Sequence, residues 1–437
     1  MKLPRAKMYL SISSLIGAIF KLLFNKIERG NSVRDLESKL SNYWNIKYCR
    51  LLSSCRLGLF YSLRALNLKP GDEVLLTPIT IPDIVNAIHT LGLKPVFVDM
   101  SPNDHNILIN DLELKINSKS RVLLVTYLGG IVPDMDKIMG VVRKNDLILI
   151  EDISQNYGSK FKDKLIGSFG KVAIGSFSLG KTLASLAGGL VLTNDKKILI
   201  EVNNYCSNEL SLPSRSFLIN QAFSQLKIVV LTSRFIFNYF TYYVFLIYSN
   251  ISKTRFDQIH DPRLISKNIR KENFYENYKI LRNKMPSDIF VEFTDIQAKL
   301  VSHSFEKLDV GLEKRKELAE ELIANFDDVV KKLIPSLLYD HLKDNSFWHF
   351  PIYINGDMKN FQKYLLKKGI DAVGYGLCLC SHEQCFLPYQ ANLINSFNIK
   401  EKTIFLPIHD DFSKKNMQKI AKIVNNYFKD RNKNNVI

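Results

Sequence analysis

The sequence has few cysteines, too little acidic charge to balance its basic charge, and no regular spacing of metal-binding residues. Six cysteines (Cys49, Cys55, Cys206, Cys378, Cys380 and Cys385) are scattered irregularly over 437 residues. That pattern argues against a disulfide framework, and a chain of this length needs no such staples. Reduced thiols and a cytoplasmic setting are expected. Paired C-x2-C motifs are absent; Cys378, Cys380, His382 and Cys385 are close enough in sequence to suggest zinc, but they also read as a loop of a second domain, and no metal is expected. Lys and Arg number 60 against 43 Asp and Glu, a formal charge of +17. Such an excess suits an anionic nucleotide substrate, an anionic membrane surface or nucleic acid. No basic block is interleaved with stacking aromatics, so nucleic acid is not an expected partner. A hydrophobic content of 46% supplies a core for a large domain plus a smaller one.

Between Val74 and Thr193 short apolar runs alternate with more polar segments. Val74–Leu76, Pro95–Val98, Val122–Val125, Leu147–Ile150 and Leu190–Leu192 are almost free of polar residues, as strands buried on both faces of a mostly parallel sheet must be. Asp83–Leu91 and Asp134–Lys144 have the polarity of covering helices. From Asp295 a long polar helix runs to Ala324. Strands at Phe347–Tyr353 and Thr403–Pro407, with helices at Phe361–Lys368 and up to Phe428, predict a small C-terminal α/β domain.

The chemistry centres on two residues. Asp152 directly follows the run ending at Ile150, where open α/β sheets bind ligands. Lys181 stands on a small-residue turn, Ser176-Phe-Ser-Leu-Gly-Lys181, ahead of Ala187-Gly-Gly. An amine and a carboxylate so ordered suit pyridoxal phosphate: the lysine bonds to the aldehyde, and the carboxylate keeps the ring nitrogen protonated. The competing reading is an ordinary salt bridge. His349 and His409 are weaker acid–base candidates, since a lone histidine on a strand is more often structural.

Around this pair the chain resembles the DegT/DnrJ/EryC1/StrS sugar aminotransferases. The resemblance rests on Glu151-Asp-Ile-Ser-Gln155 and the lysine turn, together with Pro70-Gly-Asp-Glu-Val74, Lys94-Pro-Val-Phe-Val-Asp99, Tyr127-Leu-Gly-Gly130, Pro133-Asp-Met135, Gly167-Ser-Phe-Gly170 and Asp295-Ile-Gln-Ala298, all in the family's order. It covers roughly residues 30–200 and 285–430. It implies a fold-type I enzyme: a large domain with a mostly parallel sheet flanked by helices, and a smaller C-terminal α/β domain. It further implies pyridoxal 5'-phosphate as cofactor, with Lys181 and Asp152 catalytic and Gln155, Ser176, Cys55 and Arg56 at the cofactor. Cys55-Arg56 stand where the family usually has Gly-Thr before a helix whose N-terminus suits a phosphate. Arg56 then grips that phosphate or, alternatively, pairs with a neighbouring carboxylate.

Related sugar dehydratases carry histidine where this chain has Lys181, so the implied reaction is transfer of an amino group from glutamate to a keto-sugar, nucleotide-linked, in polysaccharide or glycan assembly by a homodimer. Two alternatives stay open: an inactive membrane-associated scaffold, or a pyridoxal phosphate enzyme acting on an amino acid or lipid-linked substrate. Several positions depart from the family pattern. Phe290 and Glu292 replace the Asn-x-Arg that reaches a partner's cofactor phosphate, Ile81 replaces a stacking aromatic, and Ala187 replaces a glutamate.

The remaining segments form an N-terminal amphipathic helix (1–29), the large domain (30–200), an apolar and aromatic insertion (201–284), and a linking helix with the small domain (285–437). Lys21 and the lack of a small-x-small cleavage pattern argue against a signal peptide in Met8–Phe24. From Ile228 to Ile251 only Arg234 is charged. A spanning helix, a dimer-facing or cleft-covering hairpin, and an interfacial helical pair with Lys227, Arg234, Lys253 and Arg255 as basic neighbours all fit, and the last makes the protein peripheral at the membrane's inner face.

Overall fold

The structure, a computed structural model, describes residues 1–251 and 280–434; Lys253, Arg255 and the rest of 252–279 lie outside the described residues. The large domain is a seven-stranded sheet with spatial order Tyr48–Leu52, Gly189–Thr193, Val172–Ser176, Ile148–Asp152, Ser120–Thr126, Glu73–Leu76, Lys94–Phe97. The last five in this order are parallel, and the apolar runs read from the sequence fall on four of them. Gly189–Thr193, the fifth expected strand, is antiparallel to Val172–Ser176 and to Tyr48–Leu52.

Helices cover both faces. Helix α1 (Asn31–Trp44), with Met135–Lys144 and Asp295–Phe305, packs a core containing Leu36, Trp44, Leu123, Leu149 and Ile138. On the opposite face, helix α2 (Cys55–Ala65), helix α3 (Pro82–His89) and Lys196–Glu209 enclose Leu59, Val85, Val122, Ile150 and Val202.

The small domain is a three-stranded antiparallel sheet, Phe350–Tyr353, Thr403–Leu406 and Val373–Gly374, backed by Leu308–Ala324, Met358–Lys367 and Lys414–Asn434. The N-terminal residues join it: Leu3 bridges to Ile370, and Arg5 forms a bidentate pair with Asp371 at 2.7 and 2.6 Å. Its first strand begins at Phe350, three residues later than the sequence predicts. Phe347 takes a left-handed φ of 47°, and Ser346 and His349 donate backbone N–H groups to Gly130 and Gly129 of the large domain. Non-local hydrogen bonding thus overrides the local β pattern.

Candidate active site

Three backbone segments converge at the carboxyl ends of the parallel strands. Gly189 stands opposite Ser176 on one side and Leu52 on the other. The antiparallel strand therefore starts where the parallel strands end, beside the turn to Lys181 and the N-terminus of α2. A Cβ on Gly189 would lie 2.4 Å from the Cys55 nitrogen and 2.5 Å from the Ser54 carbonyl carbon, so only glycine lets this helix come down onto the sheet. The turn itself depends on Gly180, at φ 88°.

Asp152 ends its strand and is buried. Oδ1 accepts from the Ser154 backbone N–H at 3.0 Å and lies 4.0 Å from the Cys55 thiol. The Ser154 side chain also bears on this carboxylate, and Oδ2 takes no backbone N–H among the described residues, which leaves room for a ring N–H. Burial pushes this carboxyl's pKa up, while Ser154 and Lys181 pull it back. Cys55 sits at the first turn of α2 and receives a contact from Ser154 Oγ at 3.5 Å; burial, then the nearby Asp152 charge, push its thiol up.

Lys181 keeps an opening to solvent, yet its amine is surrounded by protein and its pKa falls to about 8 through desolvation, partly offset by Asp152. The two groups feel each other's charge without forming a direct ion pair, so the salt-bridge alternative does not describe them. The amine lies 4.1 Å from the centre of the Trp348 ring, and Trp348 Nε1 donates to the Gly180 carbonyl at 3.0 Å. Trp348 thereby ties the small domain to the lysine turn, a role with no periodic signal in the sequence. His349 packs on Trp348 and Phe405. Burial, and then Lys181, lower its pKa to about 3, leaving a neutral imidazole near the amine. His409 packs against Phe412 and is near enough to His349 to help lower its pKa.

The remaining expected residues are placed as follows. Ser176 Oγ accepts weakly from the Ser178 N–H and donates to its hydroxyl. Gln155 Oε1 accepts from Gly129 N–H at 2.8 Å. Arg56 Nη1 pairs with buried Asp83 Oδ2 at 2.5 Å, and Asp83 also holds Arg282 Nε at 3.2 Å. Arg56 therefore has the carboxylate partner that the sequence left open as an alternative to a phosphate. Glu292 turns inward to Arg50 at 3.1 Å and Arg29 at 3.8 Å. Cys378 and Cys380 are buried, and Cys378–Leu379 pairs with Ile79–Thr80; among the described residues no three potential metal ligands come together.

The site's neighbour Glu151 was read in the sequence only within its motif, with no role of its own. Its carboxylate accepts from Tyr127 OH (2.7 Å) and from the backbone N–H groups of Gly167, Phe169 and Gly170 (2.7, 2.7 and 2.6 Å). Two sequence motifs, Tyr127-Leu-Gly-Gly and Gly167-Ser-Phe-Gly, are thus joined through one buried group.

A carboxylate, a depressed lysine and a helix N-terminus at the carboxyl end of one sheet fit a ring, an aldehyde and a phosphate. Comparison with known proteins agrees. The chain is 34% identical to a GDP-perosamine synthase of Escherichia coli O157:H7 over 170 residues, 39% of this chain and 47% of that one. It is 31% identical to UDP-N-acetyl-3-dehydro-alpha-D-glucosamine 3-aminotransferase of Acidithiobacillus ferrooxidans over 170 residues, 39% and 46% of the two chains. The chain thus spans about half the length of the curated relatives it matches. Among solved structures, Helicobacter pylori PseC, an aminotransferase involved in pseudoaminic acid biosynthesis, superposes with a TM-score of 0.71 at 19% identity over 98% of this chain and 100% of that one. E. coli GDP-4-keto-6-deoxy-D-mannose-3-dehydratase with bound hydrated PLP gives 0.69 at 18% identity over 97% and 98%. At such identities the superpositions establish the fold alone. The profile of one family matches residues 19–215 and 272–425, flanking the apolar insertion and taking in both Asp152 and Lys181, and the chain therefore belongs to the DegT/DnrJ/EryC1/StrS aminotransferase family.

Proposed function

We propose that this protein is a pyridoxal 5'-phosphate-dependent aminotransferase that moves an amino group from glutamate to a keto-sugar carried on a nucleotide, in the assembly of a surface polysaccharide or other glycan. The observation that carries the reading is the buried Asp152 near enough to Lys181 for each charge to act on the other, with the lysine's pKa at about 8. When bound, the cofactor supplies an electron sink for the substrate carbon. Asp152 holds the proton on the ring nitrogen. Lys181 binds the aldehyde and, at a pKa near the working pH, both gives and takes a proton at Nζ. Trp348 and Gly180 fix the amine's position, while the α2 N-terminus and Ser176 receive the phosphate. Arg56 is paired with Asp83, which Arg282 shares.

The relatives' names, which specify GDP- and UDP-linked amino sugars, support the substrate class, and the basic excess suits a nucleotide's phosphates. The irregular spacing of the six cysteines supports a reducing, cytoplasmic setting. A homodimer is carried by the family resemblance; in this chain Phe290 and Glu292 are engaged within their own subunit. The test is incubation of the cofactor-loaded protein with glutamate and a panel of 3-keto and 4-keto nucleotide sugars, read by mass spectrometry. An amino sugar formed with wild type and not with Lys181→Ala supports the reading. No product from any pair, with no release of 2-oxoglutarate, sinks it.

A further inference from the structure

Two segments far apart in sequence share an unusual composition. Residues 1–27 and 210–251 contain no Asp or Glu, against eight Lys and Arg, and all 43 acids lie elsewhere. The fold brings these segments together. The helix Ile12–Phe24 packs its Leu15, Ala18 and Leu22 against Leu218, Ala222 and Val229 of the helix Arg215–Thr232. Arg215 caps the first helix through the Leu22 and Asn25 carbonyls, the Lys2 backbone N–H donates to Asn238 Oδ1, and Lys2 Nζ lies 4.3 Å above the Tyr242 ring.

One side of this layer is fixed to the body. Gln225 donates to the Ser185 and Leu186 carbonyls, just past the lysine turn, and Tyr242 donates to the Leu366 carbonyl at 2.6 Å. The other side is apolar and open. On the first helix Ile12, Ile16, Phe20 and Phe24 recur every fourth residue, and Phe24 is 80% exposed. Beyond Thr232, Phe235 and Tyr239 are 70% and 72% exposed and Ile247 65%. Lys21, Lys26, Lys227 and Arg234 are exposed on the same two segments. A monomeric soluble protein rarely leaves so many large apolar side chains together in water.

We infer that this acid-free aromatic layer is a docking surface for an anionic lipid bilayer, with the helices lying in the interface and not crossing it. Charge decides against a second copy of the chain as occupant: a two-fold contact sets a patch on itself and would press like charges together. Anionic headgroups neutralise them, and the aromatic rings suit the headgroup boundary. Geometry decides against crossing. Among the described residues no single helix is long and apolar enough; Arg215–Thr232 and Arg234–Ile251 qualify only as a pair bent by 52°, and one face of that pair is held by protein.

The test uses the full-length, cofactor-loaded protein in co-sedimentation with vesicles of phosphatidylcholine alone or mixed with phosphatidylglycerol. Wild type is expected to pellet with the mixed vesicles at least tenfold more strongly than with the neutral ones, and to be released by high salt. Phe20→Ser/Phe24→Ser/Phe235→Ser and, separately, Lys21→Glu/Arg234→Glu should each lose this binding while keeping the wild-type circular dichroism and cofactor absorbance. Three outcomes overturn the inference: no binding to either vesicle, retention after an alkaline carbonate wash, or a wild-type oligomer that the serine variant dissociates with no vesicle binding.

Discussion

At the end of the strand Ile148–Asp152 two adjacent carboxylates face opposite sides of the sheet, and the fold treats them in opposite ways. Glu151 is completely used: three backbone N–H groups and a phenol converge on it. Asp152 accepts one backbone N–H and keeps an oxygen back. Both are buried and both have their pKa pushed up by burial, so desolvation does not separate them. What separates them is whether the chain completes their hydrogen bonding. A buried group left incomplete is costly to the fold, and it persists where a ligand completes it.

Substitutions on the two sides should therefore fail in different ways. The largest effect belongs to the open side: Lys181→Ala is expected to abolish covalent cofactor attachment and to lower amino transfer by on the order of 10⁴-fold, with no loss of thermal midpoint at neutral pH. Steady-state turnover beside a melting curve checks both halves. Next comes Asp152→Asn, which should cost on the order of 10²–10³-fold in turnover and leave the fold's stability nearly unaltered. Equal losses of stability in Asp152→Asn and Glu151→Gln would break the comparison. On the closed side, Glu151→Gln should destabilise the large domain by about 3 kcal/mol, since it leaves buried N–H groups poorly matched, while the turnover of the folded fraction survives. Denaturant unfolding followed by circular dichroism measures it.

A titration sharpens the same contrast. Because desolvation lowers the Lys181 pKa from 10.5 to about 8, capture of the cofactor by the apo protein should speed up as pH rises through about 8 and then level off, as checked by stopped-flow absorbance. The depressed pKa also fixes the sign for stability. The neutral amine's contribution is present above about 10.5 and is lost as pH falls through about 8, so melting curves of wild type should approach or pass those of Lys181→Ala as pH climbs. The smallest effect is expected at Trp348. Trp348→Phe keeps an aromatic face and loses the bond to Gly180, costing about 1 kcal/mol; Trp348→Leu also loses the contact with the ammonium. Since Trp44 and Trp348 are the chain's two tryptophans, fluorescence of a Trp44→Phe background reports on Trp348 alone, and its quenching on cofactor loading reads this contact directly.

Most of the sheet was legible because its central strands are buried on both faces and read as unbroken apolar runs, as at Val122–Val125. Asp152 and Lys181 were legible because neighbouring motifs fix their places. The edge strand Tyr48–Leu52 was not: it carries Arg50, whose charge is met by Glu292, 242 residues away, and no local pattern announces such a partner. Trp348 was hidden likewise, since its strand register is undone by Phe347 and by bonds to Gly129 and Gly130. For Arg56 the sequence left a phosphate and a carboxylate open as partners, and only the fold brings Asp83 to it.

The most direct test of the account is an absorbance spectrum of purified protein mixed with pyridoxal phosphate, before and after glutamate, for wild type, Lys181→Ala and Asp152→Asn. The account predicts a visible band in wild type that glutamate converts, no such band in Lys181→Ala, and in Asp152→Asn a band that glutamate converts far more slowly. A wild type without any cofactor-dependent band, or an Asp152→Asn protein that converts at the wild-type rate, would contradict it.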